Sequence, residues 1–444
     1  MENQNGMQVA IIGAGPAGLF AAEALAAKGF GIALFNRDIK PGGLAEYGVF
    51  PDKYRLRNGL RSQFNAILAL DNIHYYGNVH LGGEKELGIP DLFTLGFAAV
   101  LVTSGAQGIK SLHLPGEELN GVIHAKDLVY HYNKLPPYSE MAFPFGKRVA
   151  IVGAGNVMAD VAHFLLKFTA VEQITTLIRR GPAEVKFDRK EMESIISYLD
   201  QPAFEQEVER VAGEMRDLGQ DVQAAKAAIL AALPKAEPRQ RDARLYLRFL
   251  SSPRQILSNG EGHVAALEIE ENQLVIKDGQ VTAKGTGRTQ QIELDNVVFA
   301  IGDRVLDELG LPLWQNEYCI AGKPQFPVDD ESFEIEDPAN GMNLPGIFVA
   351  GWARNPSTGL VGTARKDGLH VAEAINQYLI AKGHLGGVDH AFVEEQLARF
   401  GYHAVTKVDL HRLDAVEKLQ AEKTGLEEYK FSTNEEMLRA MGLE

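Results

Sequence analysis

The sequence predicts an α/β protein with two Rossmann-like domains, each built to hold a dinucleotide, the second inserted into the first. Two apolar runs that read as strands carry this expectation. Val9-Ala10-Ile11-Ile12 leads into Gly13-Ala14-Gly15-Pro16-Ala17-Gly18, and Val149-Ala150-Ile151-Val152 leads into Gly153-Ala154-Gly155-Asn156-Val157-Met158-Ala159. In each loop the first glycine makes the strand-to-helix turn, and the second lets backbone approach a pyrophosphate. The small residue at the end lets helix and strand pack closely. The helix N-terminus then offers free N–H groups and a positive dipole end to the phosphates. The third observation is size: 444 residues, 45% of them hydrophobic, can bury two full cores.

The first unit runs from Gln8 through an alanine-rich helix, Pro16 to Lys28, into the strand Ile32-Ala33-Leu34-Phe35. A dinucleotide site commonly ends that second strand with an acid that bonds the ribose. Here the position carries Asn36, which can accept one hydroxyl but lacks the charge that strengthens such a bond. The second unit runs from Arg148 through Lys167 into Ile174-Thr175-Thr176-Leu177-Ile178, and its strand tip is Arg179-Arg180. Two arginines in that place imply a 2′-phosphate, so the second loop is expected to take NADP and the first the adenine end of FAD. This is the two-dinucleotide-binding flavoprotein arrangement. Ala98 to Ala106, with Gly105 at a strand end, resembles the segment at which chains of that class cross between domains, and Asn296 to Asp303 resembles its counterpart at the return. The expected division is residues 1–108 and 325–444, with a C-terminal tail, for the FAD domain and 109–324 for the NADP domain. Lys277-Asp278-Gly279-Gln280 reads as a hairpin turn. Glu205 to Ala232 reads as one solvated amphipathic helix.

Composition narrows the chemistry. The 59 Asp+Glu against 44 Lys+Arg leave a net charge of −15, which argues against general binding to nucleic acid or to a membrane surface. The single cysteine, Cys319, cannot form an internal disulfide, a redox pair or a cysteine-ligated cluster, so electrons must reside on an organic cofactor. No metal-ligand spacing is present, and the 12 histidines are scattered. Val9 to Ala27 is nearly all apolar, but its glycines and Glu23 suit a buried strand and nucleotide-binding helix rather than a membrane span. A cytoplasmic protein, with a monomer favoured, is the expectation.

Several stretches together resemble the adrenodoxin reductase family of FAD-containing NADPH:ferredoxin oxidoreductases. They are Pro41 to Asp52, Leu114-Pro115-Gly116-Glu117 with Ala125-Lys126-Asp127, Arg179-Arg180-Gly181-Pro182, Leu247 to Pro253, Gly346 to Trp352, and the tail from Leu413 to Leu438. The resemblance implies that Gly43 and Leu44 touch FAD, and that Gly351-Trp352 with Gly359, Leu360 and Val361 lie against the isoalloxazine and nicotinamide. Backbone N–H groups after Gly359 would stabilise negative charge on the reduced ring. Glu191 would orient the nicotinamide carboxamide. Three positions depart from the family pattern. Lys53 replaces a histidine beside the flavin, Asn36 replaces the ribose acid, and Pro356-Ser357 replaces glycine-proline.

The implied reaction is hydride transfer from NADPH to FAD, then single electrons to a ferredoxin-like iron–sulfur protein. Lys53, Glu191 and Trp352 are the expected catalytic residues. A basic stretch of Lys235, Arg239, Arg241, Arg244, Arg248 and Arg254 offers a docking surface, with Arg244, Tyr246 and Arg248 on one strand face. Two alternatives stay open at this stage. One is a quinone, flavoprotein or small-molecule acceptor; the other is a non-catalytic nucleotide-bound subunit of a larger complex.

Overall fold

The computed structural model describes residues 6–83, 86–383 and 387–443. The chain forms two compact units. Met1–Ile109, Tyr130–Glu140 and Gly302–Glu444 make the first, and Lys110–Val129 with Met141–Ile301 the second.

The first unit is built on a six-stranded sheet. Strand Gln8–Ile12 lies between Gly31–Phe35 and Ala99–Val102, with Ile73–Tyr76 beyond the former and Met342–Val349 beyond the latter. These neighbours pair in parallel, and Glu334–Asp337 closes one edge antiparallel. A parallel sheet is covered on both faces, which is why its strands read as unbroken apolar runs. Val9 and Ile11 enter one core with helix Pro16–Ala27, while Ala10 and Ile12 enter the core on the other face. The second unit repeats the plan with a parallel sheet in the order Val122–His124, Asn296–Phe299, Arg148–Val152, Gln173–Leu177, Arg244–Arg248. It adds an antiparallel sheet of Ser251–Ser258, Val264–Lys277 and Gln280–Glu293. Asp278 and Gly279 turn its hairpin with φ of 51° and 73°, the left-handed pair that a two-residue turn requires.

Two segments fall where the sequence did not put them. Residues 302–324 belong to the first unit, because Asp303–Arg304 pairs antiparallel with Gly108–Ile109 and Val305, Leu311 and Tyr318 join that unit's core. The stretch 130–140 also returns there, where Tyr130 and Leu135 pack with Tyr47. The single helix read over Glu205 to Ala232 is two, Gln201–Asp217 and Val222–Leu230. Gly219 breaks it at φ 71°, and the Asp221 carboxylate caps the next helix by accepting from the Gln223 and Ala224 N–H groups. Nor is that stretch merely solvated, since Phe204, Val208, Val211 and Met215 are buried.

A buried charge holds the first unit's loop 41–53 from behind. Glu46 is 2% exposed and is met by Lys430 at 2.9 Å, Arg61 Nε at 2.6 Å and Lys40 at 3.7 Å. Lys40 also pairs with Glu417, and Arg57 and Arg61 pair with Glu428, so the C-terminal segment is tied in. The Arg57 guanidinium further donates to Asn133 Oδ1 at 2.9 Å and to the Pro51 carbonyl at 3.2 Å. Burial alone would raise the Glu46 carboxyl, but the cations beside it, Lys430 foremost, outweigh that and hold it well below the usual range. For the Lys430 ammonium burial wins over its acidic neighbours and pushes it down to about 8.

Glu46→Gln takes a carboxylate from two buried ammonium groups, Lys40 and Lys430, and from the partly buried Arg61, and should cost about 3–5 kcal/mol of unfolding free energy in urea titrations at neutral pH. A depressed carboxyl contributes stability above its ordinary pKa near 4.5 and loses it as pH falls below that value. The gap between parent and variant should therefore narrow in acid; a gap independent of pH would mean that Glu46 is not ionised in the fold.

Candidate functional site

The two glycine loops separate glycines needed by the fold from glycines that leave space. Gly13 sits at φ 107°, and a Cβ there would lie 2.5 Å from the Thr103 carbonyl oxygen. A Cβ on Gly18 would meet the Gly13 oxygen at 2.2 Å. Gly15 differs: its backbone is ordinary extended chain, φ −76°, and a side chain would meet nothing within 4 Å. The second loop repeats the division. A Cβ on Gly153, at φ 142°, would lie 2.3 Å from the Ala300 oxygen, whereas Gly155 at φ −110° faces open space. In each loop the second glycine caps a helix, Pro16–Ala27 or Asn156–Phe168, with no side chain satisfying the first-turn N–H groups. An empty cradle before a free helix N-terminus suits a pyrophosphate, so the residues present fit two dinucleotides.

Around the first loop, Gly42 N–H donates to the Ala14 carbonyl at 2.7 Å, and Gly43, at φ 50°, would bring a Cβ within 3.2 Å of Gly15 Cα. Leu44 starts the short helix that follows. Ala17 is buried, and its role here is packing: a Cβ on Gly368 would meet its carbonyl oxygen at 2.4 Å, and one on Gly351 would meet its Cβ at 2.8 Å. Helices Pro16–Ala27 and Val361–Lys382 thus touch backbone to backbone. Gly105, at φ 74°, ends the adjacent strand segment. Asn36 requires a correction. It is buried, and its amide is spent within the protein, accepting from Ala14 N–H at 2.9 Å and donating to the Asp38 and Lys40 carbonyls. Both amide hydrogens and one Oδ1 lone pair are thus engaged within the protein, where the sequence suggested a side chain turned to a ribose.

The loop between Ala350 and Val361 is braced by Asp367, whose carboxylate accepts from Gly351 N–H and pairs with Arg354. Trp352 is half-buried and its indole donates to the Thr358 carbonyl at 3.0 Å. Ser357 adopts a left-handed φ of 56°, and its hydroxyl accepts from Asp303 N–H at 2.8 Å. That bond anchors the departure at Pro356-Ser357. Gly359, at φ 76°, leads to the exposed Leu360 and to Val361, which opens the 22-residue helix. A cleft of about 360 Å³ lies here, lined by Trp352, Arg354, Asn355, Thr363, Asp367 and His370 among others. Lys53 is partly exposed at the end of a 3₁₀ turn, immediately before helix Tyr54–Leu68.

Around the second loop, the Asn156 amide and Asp188 exchange two hydrogen bonds of 2.7 Å, and Lys186 N–H donates to the Ala154 carbonyl. That exchange seats the short helix Arg189–Met192, which carries Glu191, beside the loop. Val157, in the first turn, is exposed. The Arg179 and Arg180 backbones are pinned, their carbonyls accepting from Asn272 Nδ2 and Leu250 N–H, while among the described residues neither guanidinium forms an ion pair. Arg244 and Arg248 do share a strand face, and both form ion pairs. Arg244 pairs with Asp242 at 2.8 Å, Arg248 with the buried Glu207 at 2.9 Å, a carboxylate that Arg210 shares, and Arg254 with Glu270. Sequence reasoning missed Thr103, Asp367 and Asp188. Asp367 and Thr103 act on glycine backbone far along the chain, and no local spacing marks such a contact.

Residues 7–215 match the family described as pyridine nucleotide-disulphide oxidoreductase. The NADPH-ferredoxin reductase FprA of Mycobacterium leprae is 28% identical, with 97% of each chain covered. The mitochondrial NADPH:adrenodoxin oxidoreductase of Bos taurus is 27% identical over 98% of this chain and 92% of its own. A solved structure of FprA from Mycobacterium tuberculosis superposes with a TM-score of 0.82 at 26% identity, covering 98% of this chain and 100% of that one. No helix of the described residues is long and apolar enough to cross a membrane.

The glycine geometry makes a paired expectation. Gly15→Ala and Gly155→Ala should leave the melting temperature within about 2 °C of the parent yet weaken nucleotide binding, because each methyl enters only the empty cradle. Gly13→Ala and Gly153→Ala should fail to fold or melt far lower. Calorimetry beside nucleotide titration checks both, and equal loss of stability in all four variants would refute the division.

Proposed function

The resemblance to the adrenodoxin reductase family runs the length of the chain, in sequence and in fold, and on that premise we propose how the protein works. It is an FAD-containing NADPH:ferredoxin oxidoreductase. The observation that carries this reading is the repeated open cradle, with two arginines at the second strand tip whose guanidinium groups form no ion pair among the described residues. FAD belongs to the first loop, held by the backbone at Gly13 to Gly18, by Gly43 and Leu44 and by Gly105. NADPH belongs to the second, held by Gly153, Gly155, Asn156 and Val157, with Arg179 and Arg180 on the 2′-phosphate. When bound, FAD supplies what no side chain here can: two-electron exchange with a nicotinamide and one-electron exchange with an iron–sulfur centre.

The chain's own part is orientation and electrostatics. The N-terminus of helix Val361–Lys382, open after Gly359 and Leu360, directs N–H groups and a positive dipole end at negative charge on the reduced ring. Asp367 and the indole of Trp352 hold the loop in front of it. Lys53 adds a positive charge beside the ring, and Glu191 orients the carboxamide of the nicotinamide. The acceptor is a ferredoxin-like iron–sulfur protein. Docking near Arg244 and Arg248 draws on a field that Asp242 and Glu207 weaken in part, since Glu207 is shared between Arg248 and Arg210.

Anaerobic NADPH should bleach the flavin within seconds; a protein that stays yellow would be a nucleotide-bound subunit without turnover. Each charge-assisted bond to a 2′-phosphate is worth roughly 1.5–3 kcal/mol, so Arg179→Ala with Arg180→Ala should move the NADPH/NADH ratio of kcat/KM by about a hundredfold or more. A ratio that barely moves would show that the arginines do not read the phosphate. Lys53→Ala should lower the flavin midpoint potential by removing a positive charge near the reduced form. Redox titration against the parent decides it, and an unchanged potential removes Lys53 from the site. At low salt Arg244→Gln should slow ferredoxin reduction by no more than about threefold while leaving flavin bleaching unaltered. Slowing by more than about tenfold would mean that the ion pairs do not quench this surface.

A further inference from the structure

Residue 36 ends the strand at the place where a dinucleotide site commonly carries a ribose-binding acid. The side chain here is an amide, and its hydrogen atoms decide what it does. Asn36 is 7% exposed. Its Oδ1 accepts from Ala14 N–H at 2.9 Å. Its Nδ2 faces three oxygens, the Asp38 carbonyl at 2.8 Å, the Lys40 carbonyl at 3.1 Å and the Tyr75 hydroxyl at 3.3 Å. The Tyr75 hydroxyl donates its own hydrogen to the Ile39 carbonyl at 3.0 Å, so toward Asn36 it presents a lone pair. An ionised carboxylate is an acceptor only and would set two carbonyls and a hydroxyl lone pair against a negative charge. The chain that Asn36 grips runs directly into Pro41-Gly42-Gly43, where Gly42 N–H donates to the Ala14 carbonyl at 2.7 Å. Ala14, in the middle of the glycine loop, is thus held by its N–H from Asn36 and by its carbonyl from Gly42.

We infer that Asn36 is a positioning residue for FAD: its amide locks the first glycine loop against the Pro41–Gly43 turn, and the ribose is held without a carboxylate at this position. The inference rests on the first loop being the FAD site. Parent apoprotein that takes up no FAD would overturn both, whereas the comparison of variants tests this inference alone.

Asn36→Asp separates a ribose ligand from a lock. A ribose ligand would gain from the charge. A lock loses its donor, so at about pH 8 the FAD Kd, read from quenching of FAD fluorescence on titration with apoprotein, should rise at least about tenfold. A protonated carboxyl regains an O–H donor. The ratio of variant to parent Kd should therefore fall toward one as pH is lowered to about 5.5. The charged groups near this point are Asp38, engaged by the Arg37 guanidinium, and the Lys40 ammonium, which is turned to Glu417 and Glu46. Binding at pH 8 as tight as the parent's, or tighter, would overturn the inference, as would a raised ratio that does not change with pH. Should Asn36→Asp fail to fold by circular dichroism, Tyr75→Phe decides. It removes the hydroxyl that accepts from Asn36 and should raise the Kd by about two- to fivefold, and an unchanged Kd would overturn the inference.

Discussion

Everything at the first loop depends on backbone meeting backbone where no Cβ can stand. Strand Gln8–Ile12 turns at Gly13 against the Thr103 carbonyl, and helix Pro16–Ala27 presses on helix Val361–Lys382 where Gly368 meets the Ala17 oxygen. These contacts are short because glycine leaves the distance to be set by backbone atoms alone. Once they are made, two helix N-termini are fixed relative to one sheet, and the space in front of Gly15 follows as a remainder. The second unit uses the same close approach at Gly153 and Ala300.

Such a loop has little side-chain mass with which to stay in place, and the first unit supports it by charge. The Glu46 cluster lies behind residues 41–53, with members drawn from helix Tyr54–Leu68, helix Lys407–Thr424 and the tail at Glu428 and Lys430. A buried ionic cluster is seldom a source of net stability compared with apolar packing. What it does provide is geometry, since each carboxylate accepts only from donors at particular places. The tail is therefore part of the folded unit and not an appendage to it.

Two positions show how an uncommon local choice is supported by its own side chain. Ser357 holds a left-handed backbone that costs a residue with a Cβ about 1 kcal/mol or more, and its hydroxyl takes the Asp303 amide hydrogen. The Asn36 amide supplies two donors, which the turn after it uses.

Much of the architecture was legible along the chain because it follows from short-range patterns. Apolar runs ending in glycine marked the central strands of both parallel sheets, and Asp278-Gly279 marked a two-residue hairpin. Periodicity and turn chemistry act over a few residues, so a few residues reveal them. Tertiary structure decided the rest. It determined that Arg244 and Arg248 spend their charge on Asp242 and Glu207, that residues 302–324 join the first unit, and that Asn36 turns inward. An ion pair or a buried amide depends on which remote groups arrive beside it. In sequence an arginine paired with Glu207, 41 residues away, looks the same as one with no partner.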